Sequence, residues 1–125
     1  MLTLICGLPN AGKTTYSQQF EKVIHADDVK RHRTLCEMIS KMDDVTVEGL
    51  YIVSHMRKEL LKAYKGEKKV CIFLNTPLEE CLRREDRHRS LMLIKNCAMV
   101  LEPPTVSEGW DEVIIIGGED GECNS

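Results

Sequence analysis

The sequence predicts an α/β fold, a five-stranded parallel sheet with helices on both faces, and three observations carry that prediction. Short apolar runs of strand length alternate along the 125 residues with longer stretches of helical periodicity. A glycine-rich loop, Gly7 to Thr15, stands between the first apolar run and the first helical stretch. A Thr76-Pro77-Leu78-Glu79 helix start follows the most strand-like run in the middle of the chain, Val70 to Leu74.

Taken in order, Leu2 to Cys6 reads as a buried strand and Thr14 to Lys22 as a helix with Tyr16 and Phe20 on one face. Val23 to His25 is a short second strand ending at Ala26-Asp27-Asp28, and a helical stretch runs from about Val29 to Met42. Val45 to Val47 gives the third strand, ending at Glu48-Gly49. The next helix is amphipathic, with Met56, Leu60, Leu61 and Tyr64 on one face, and Lys65-Gly66 closes it. After Val70 to Leu74, Thr76 is the expected N-cap, Pro77 the first helical residue and Glu79 the residue three beyond the cap. Leu91, Ile94, Ala98 and Leu101 mark a further helix, which must end before Pro103-Pro104. Val113 to Ile116 is the last strand, and residues 118–125 form an acidic tail expected to be frayed. The organisation is thus one domain over residues 1–117, with a lid at about 83–95, and the tail.

Gly7-Leu8-Pro9-Asn10-Ala11-Gly12-Lys13-Thr14-Thr15 completes the pattern G-x-x-x-x-G-K-[ST] of a phosphate-binding loop, the Walker A motif. Such a loop turns successive backbone N–H groups toward one point, and its glycines let the main chain approach phosphate oxygens without a Cβ in the way. Pro9, Asn10, Ala11 and Thr15 complete the cradle. Lys13 would neutralise the β- and γ-phosphates, and the Thr14 hydroxyl would ligate Mg²⁺. The expected donor is therefore a nucleoside triphosphate, ATP or GTP, with Mg²⁺.

In an open parallel sheet, ligands sit at the carboxyl ends of the strands. Those ends carry Gly7, Asp27, Glu48, Asn75 and Gly117. Phosphoryl transfer asks mainly for positioning and charge stabilisation. Asp27 is placed to take the proton of an attacking hydroxyl, with Asp28 the better candidate for a helix N-cap. Glu48 could hold a Mg²⁺-bound water or orient the acceptor, or be a solvated strand end. Arg83, Arg84, Arg87 and Arg89 offer positive charge for the migrating group, and Arg84 and Arg87 would share a helix face. Lys30, Arg31 and Arg33 could grip an anionic acceptor or form a solvated helix face.

Composition narrows the class further. The domain is large enough for a small kinase and too small for a motor or multidomain ATPase. The net charge is -3, yet Glu102 onward holds seven acidic residues and no Lys or Arg, so residues 1–101 carry 17 basic against 13 acidic groups. A local basic face is compatible with that balance. The six cysteines never reach C-x-x-C spacing and read as reduced thiols, without a zinc site. No run is long enough to span a membrane and no signal leader is visible, which leads to the expectation of a cytoplasmic protein with no membrane partner.

The loop, the pair Asp27-Asp28 followed by Lys30, the segment Leu74 to Arg84, and the closing Glu102-Pro103-Pro104-Thr105 with Glu108 to Ile114 resemble the P-loop kinase domain of polynucleotide 5′-hydroxyl kinases and their relatives. The resemblance spans nearly the whole chain. It implies a sheet of order 2-3-1-4-5, Mg-ATP as donor, and a nucleic acid or nucleotide hydroxyl as acceptor. It also implies that Asp27 is the catalytic aspartate, that Lys30 stands where an arginine contacts the acceptor, and that Arg84 with Arg87 or a neighbour supplies the lid arginines. Lys30 for arginine, Asn75 and Glu48 at places where aspartate is common, and the lack of a phosphatase or ligase partner domain depart from the pattern. Alternative acceptors are a modified base hydroxyl in DNA or a small metabolite. A module that binds ATP without transferring phosphate is the reading from a different class.

Overall fold

The computed structural model describes residues 1–84 and 91–117. Five parallel strands form one sheet of order β2-β3-β1-β4-β5. They are β1 Leu2–Gly7, β2 Val23–His25, β3 Val45–Gly49, β4 Lys69–Leu74 and β5 Glu112–Ile116. Among the described residues five α-helices accompany them, α1 Lys13–Ser17, α2 His32–Ile39, α3 Ser54–Ala63, α4 Leu78–Arg83 and α5 Leu91–Val100. The expected tail at 118–125 and the middle of the expected lid at 85–90 lie outside the described residues. Residues 91–95 open α5, where Ile94 is buried in the core.

The central strands are apolar on both faces because helices cover both. Leu2, Leu4 and Cys6 of β1 join Cys71 and Phe73 of β4 in a core closed by Leu35 and Ile39 of α2 and Leu60 and Leu61 of α3. Ile5 joins Val70, Ile72 and Leu74 in a second core closed by Cys81 of α4 and by Ile94 and Cys97 of α5. Each fully buried leucine contributes roughly 1.5–3 kcal/mol. β5 is an edge strand, so its run is half exposed: Ile115 keeps 51% of its surface in solvent.

Local differences from the sequence reading have physical reasons. The first helix stops at Ser17, whose hydroxyl donates back to the Thr14 carbonyl (2.8 Å); the Tyr16 and Phe20 rings still pack together, tilted, with centroids 6.1 Å apart. α2 starts at His32 because Ala26–Asp28 forms its own single turn and Val29 is extended. Pro77, not Thr76, is the N-cap of α4, its carbonyl taking the N–H groups of Glu80 and Cys81. The helix ends at Arg83 with Arg84 as its C-cap, and Arg87, expected to share a helix face with Arg84, lies outside the described residues. Cys6, Cys36, Cys71, Cys81 and Cys97 are free thiols; the Cys6 thiol beside it (3.8 Å) and its own burial push Cys71 far above the usual thiol range.

Candidate active site

The β1–α1 loop has its shape fixed from both sides. A Cβ on Gly7 would stand 2.9 Å from the Leu74 carbonyl oxygen, so only glycine lets β1 turn against β4 there. Gly12 has φ 102° and Asn10 φ 67°, left-handed conformations that these two residue types tolerate. Thr76 Oγ1 donates to the Ala11 carbonyl (2.8 Å), Asn10 Nδ2 to the Cys81 carbonyl (3.3 Å), and Arg84 Nη1 to the Asn10 carbonyl (3.2 Å). The segment after β4 therefore braces the cradle, which lowers the ordering cost of ligand binding. Lys13 opens α1, and its ammonium donates to the carbonyls of Gly7 (3.1 Å) and Leu8 (2.7 Å).

At the carboxyl ends of the strands this loop borders a cleft of about 1350 Å³. Pro9, Asn10, Ala11, Gly12, Lys13, Thr14 and Thr15 line one side, with Arg84 beyond them; Asp27, Asp28 and Glu48 line the other. Gly7 lies beneath the loop as its hinge, and Gly117 closes the far rim. Asn75 shares this edge of the sheet through its N–H bond to the Ile116 carbonyl (2.8 Å) but is not among the residues bordering the cleft.

The acidic side is built by strand register. His25 and Glu48 face each other across β2 and β3, and His25 Nδ1 meets Glu48 Oε1 at 2.6 Å. With Glu48 ionised, that nitrogen is the donor. Glu48 is thus neither solvated nor isolated: its residue is 8% exposed and its carboxylate is held by His25. A carboxylate has capacity for about four hydrogen bonds, so this partner leaves room for a metal-bound water. Asp27 and Asp28 occupy the turn after β2, both exposed, and neither caps a helix; Arg31 is the N-cap of α2, without a side-chain cap bond.

A smaller cavity of about 190 Å³ adjoins the cleft. Asp27 and Leu50 border both spaces, and Arg31, His32, Tyr51 and Met56 border only the smaller one. Lys30 is exposed and borders neither. Of the basic residues expected near an acceptor, the fold brings Arg31 to the cavity.

Arg84 also donates to Glu80 Oε2 (2.9 Å), and Arg83 pairs with the same carboxylate. Arg83 and then Arg84 hold the Glu80 carboxyl below its usual range. Glu80 thereby orients Arg84 along the cleft wall. Such exposed pairs contribute little to stability, so their value here is positional.

Four residues of the site escape the motif reading. His25 aligns Glu48, and Thr76 braces the loop. Tyr51 adopts φ 32°, a conformation that costs of order 1–3 kcal/mol and persists only where its surroundings over-determine it. They do: its carbonyl accepts from Arg57 Nη1 (2.8 Å), and its hydroxyl meets His32 Nδ1 (3.1 Å). Arg57 is 0% exposed; it donates through Nε and Nη2 to Glu108 (2.9 and 2.7 Å) and through Nη2 to the Glu102 carbonyl (2.7 Å). Burial works against its charge, but the bonded Glu108 carboxylate wins and raises its pKa. Burial likewise opposes the Glu108 charge, and the Arg57 and Trp110 donors outweigh it, keeping that carboxyl below the usual range. Arg57 was findable in sequence: it lies three and four residues before Leu60 and Leu61, on the apolar face of α3.

The cradle suits a phosphate chain, since Pro9 to Thr15 border the cleft with the left-handed Asn10 and Gly12 among them and the Lys13 ammonium beside the loop carbonyls. Thr14, Asp27, Asp28 and Glu48 bring oxygen atoms to this cleft, the donor type of a hard cation such as Mg²⁺, and among the described residues no three acidic, His or Cys side chains form a metal-holding group.

No protein-family model and no curated protein matches the chain. Solved structures do. Kti12 from Chaetomium thermophilum, solved with ADP-AlF3, superposes with a TM-score of 0.70 at 15% identity, over 98% of this chain and 92% of that one. A gluconokinase from Sinorhizobium meliloti 1021 gives a TM-score of 0.69 at 14% identity, over 96% of this chain and 85% of that one. Likeness at this level shows the fold that the chain shares with these proteins, an open parallel sheet of the expected strand order 2-3-1-4-5.

Proposed function

We propose that the protein is an ATP-dependent kinase that transfers the γ-phosphate to a hydroxyl of a nucleic acid or nucleotide, in the manner of polynucleotide 5′-hydroxyl kinases. The observation that carries this reading is the position of Asp27, on the boundary between the phosphate-loop cleft and the smaller cavity. A general base for phosphoryl transfer must face both the donor and the acceptor.

The loop amides and Lys13 bind and neutralise the phosphate chain, and Thr14 is the residue that would hold the cation accompanying it. Mg-ATP, when bound, supplies the phosphoryl group and a divalent charge that screens its oxygens. Lys13 exchanges its contacts with the Gly7 and Leu8 carbonyls for phosphate oxygens. Glu48, aligned by His25, would be the carboxylate that holds the cation's hydration shell from the acidic side of the cleft. Asp27 accepts the proton of the attacking hydroxyl at its carboxylate, while Arg84 provides positive charge on the loop side of the cleft. Arg87 joins this set as the second arginine on the strength of the resemblance alone. On the acceptor side Arg31 meets an anionic backbone at the cavity, and Lys30, on the open surface, contacts it farther out.

The test is transfer from γ-labelled ATP to a 5′-hydroxyl oligonucleotide, run beside oligonucleotides bearing a hydroxymethylated base and a panel of small alcohols. The proposal expects label on the 5′ end. Label confined to the modified base or to a small alcohol would move the acceptor to that class, and ATP binding without any transfer would contradict the enzyme reading.

A further inference from the structure

The smaller cavity has a chemistry of its own. Its volume of about 190 Å³ is room for roughly six waters at about 30 Å³ each, below the roughly 300 Å³ at which pockets begin to hold a drug-sized ligand. It can take one ring system and not a whole nucleotide. Val29, Leu35, Leu50 and Met56 line it with the rings of His32 and Tyr51, and Asp27 and Arg31 supply its charged border. A polyol would strand its hydroxyls against those aliphatic walls. A flat ring presents apolar faces to those walls and needs polar partners only along its edge, and it could stack.

The aromatic wall is also built to hold still. The His32 and Tyr51 rings sit 5.6 Å apart, and the Tyr51 hydroxyl meets His32 Nδ1. The other ring nitrogen of His32, Nε2, contacts Glu59 Oε1 at 3.0 Å. Arg57 fixes the Tyr51 backbone from beneath through its carbonyl. Gly49 makes the space, since a Cβ there would lie 3.1 Å from the Tyr51 ring and 2.8 Å from Ala26 Cβ, the residue before Asp27. Tyr51 and the Asp27 turn are therefore packed around one glycine.

We propose that this cavity is a base pocket, which receives the nucleobase of the acceptor's terminal nucleoside and thereby presents its hydroxyl to Asp27, with Arg31 at the same cavity meeting the anionic backbone. The inference rests on the reading of Asp27 as the base of a kinase, and it names the part of the acceptor that this chain grips.

Equilibrium binding of two short 5′-hydroxyl oligonucleotides, one with a normal terminal nucleoside and one with an abasic terminal residue, tests it in the presence of Mg²⁺ and a non-hydrolysable ATP analogue. The wild type should bind the base-bearing strand at least tenfold more tightly. Met56→Trp and, separately, Val29→Phe fill the cavity and should remove that preference; thermal melting and binding of the ATP analogue report that each filled variant is folded. Equal affinity for the two strands, a preference that survives both fillings, tighter binding of a polyol than of the base-bearing strand, or binding of neither strand would each overturn the pocket. Phosphate transfer to both strands at equal rates would sink the base pocket while leaving the kinase reading intact. A tenfold preference in binding with no transfer to either strand would do the reverse.

Discussion

Replacing Glu108 should be the most destabilising single change in the described part of the protein that leaves every apolar core side chain in place. Glu108 accepts two bonds from the fully buried Arg57 and a third from Trp110 Nε1 (3.0 Å). Glu108→Ala leaves the guanidinium in the interior with only the Tyr51 and Glu102 carbonyls for company. Removing one partner of a buried ion pair costs roughly 3–5 kcal/mol. Against a typical total of about 5–15 kcal/mol, that is roughly a fifth or more of the stability. The melting temperature should fall by roughly 10–20 °C, taking about 4 °C per kcal/mol for a domain of this size. Arg57→Met combined with Glu108→Leu should recover part of the loss, because two apolar groups remove the unpaired charge. Recovery stays incomplete, since the buried Tyr51 carbonyl loses its donor. Urea unfolding followed by the fluorescence of Trp110, the only tryptophan, measures all three proteins. A loss below about 1 kcal/mol in Glu108→Ala would refute the claim that this pair clamps α3 to the segment before β5, because exposed pairs give values of that size.

The remaining predictions concern pH, space and nucleotide. The carboxyl of Glu108 titrates below its ordinary value in the folded protein, so its contribution is fully present above an unfolded pKa of roughly 4.3 and is lost as pH falls from there through the folded value. Acid unfolding should therefore steepen below about pH 4 in the wild type and lose that component in the double variant, as read from urea midpoints against pH. Gly49→Ala forces Ala26 or Tyr51 to move and should cost roughly 1–3 kcal/mol, with a larger fractional loss of acceptor turnover than of ATP affinity; unchanged kinetics would break the link between Gly49 and the Asp27 turn. Excess Mg-ATP at about 100 times its Kd should stabilise the wild type by about 2.7 kcal/mol, and Lys13→Ala should erase that thermal shift.

The parts of this molecule that follow one-dimensional rules were legible from sequence. Strand runs, the phosphate loop and the polar residue closing each strand depend on local periodicity and on the parallel α/β arrangement, so Gly7, Asp27, Glu48 and Gly117 fall at one edge as expected. Contacts between distant segments were not. Thr76 carries every sign of an N-cap, yet its hydroxyl reaches 65 positions back to Ala11, and the loop gains a brace where the helix loses a cap. Asp28 resembled a cap for the same local reason, and the single turn of residues 26–28 removed that role. His25 looked like the last residue of a short strand; only the β2–β3 register shows that it meets Glu48. Tyr51 follows Gly49-Leu50 without any pattern, because its left-handed backbone is imposed by Arg57 from the next helix.

The central claim is that Asp27 is the base between donor and acceptor. Single-turnover transfer from γ-labelled ATP to a 5′-hydroxyl oligonucleotide, measured for wild type and Asp27→Ala with ATP affinity determined in parallel, tests it most directly. A rate reduced by roughly 100-fold or more at unchanged ATP affinity is the expected result. Transfer by Asp27→Ala at the wild-type rate would contradict it.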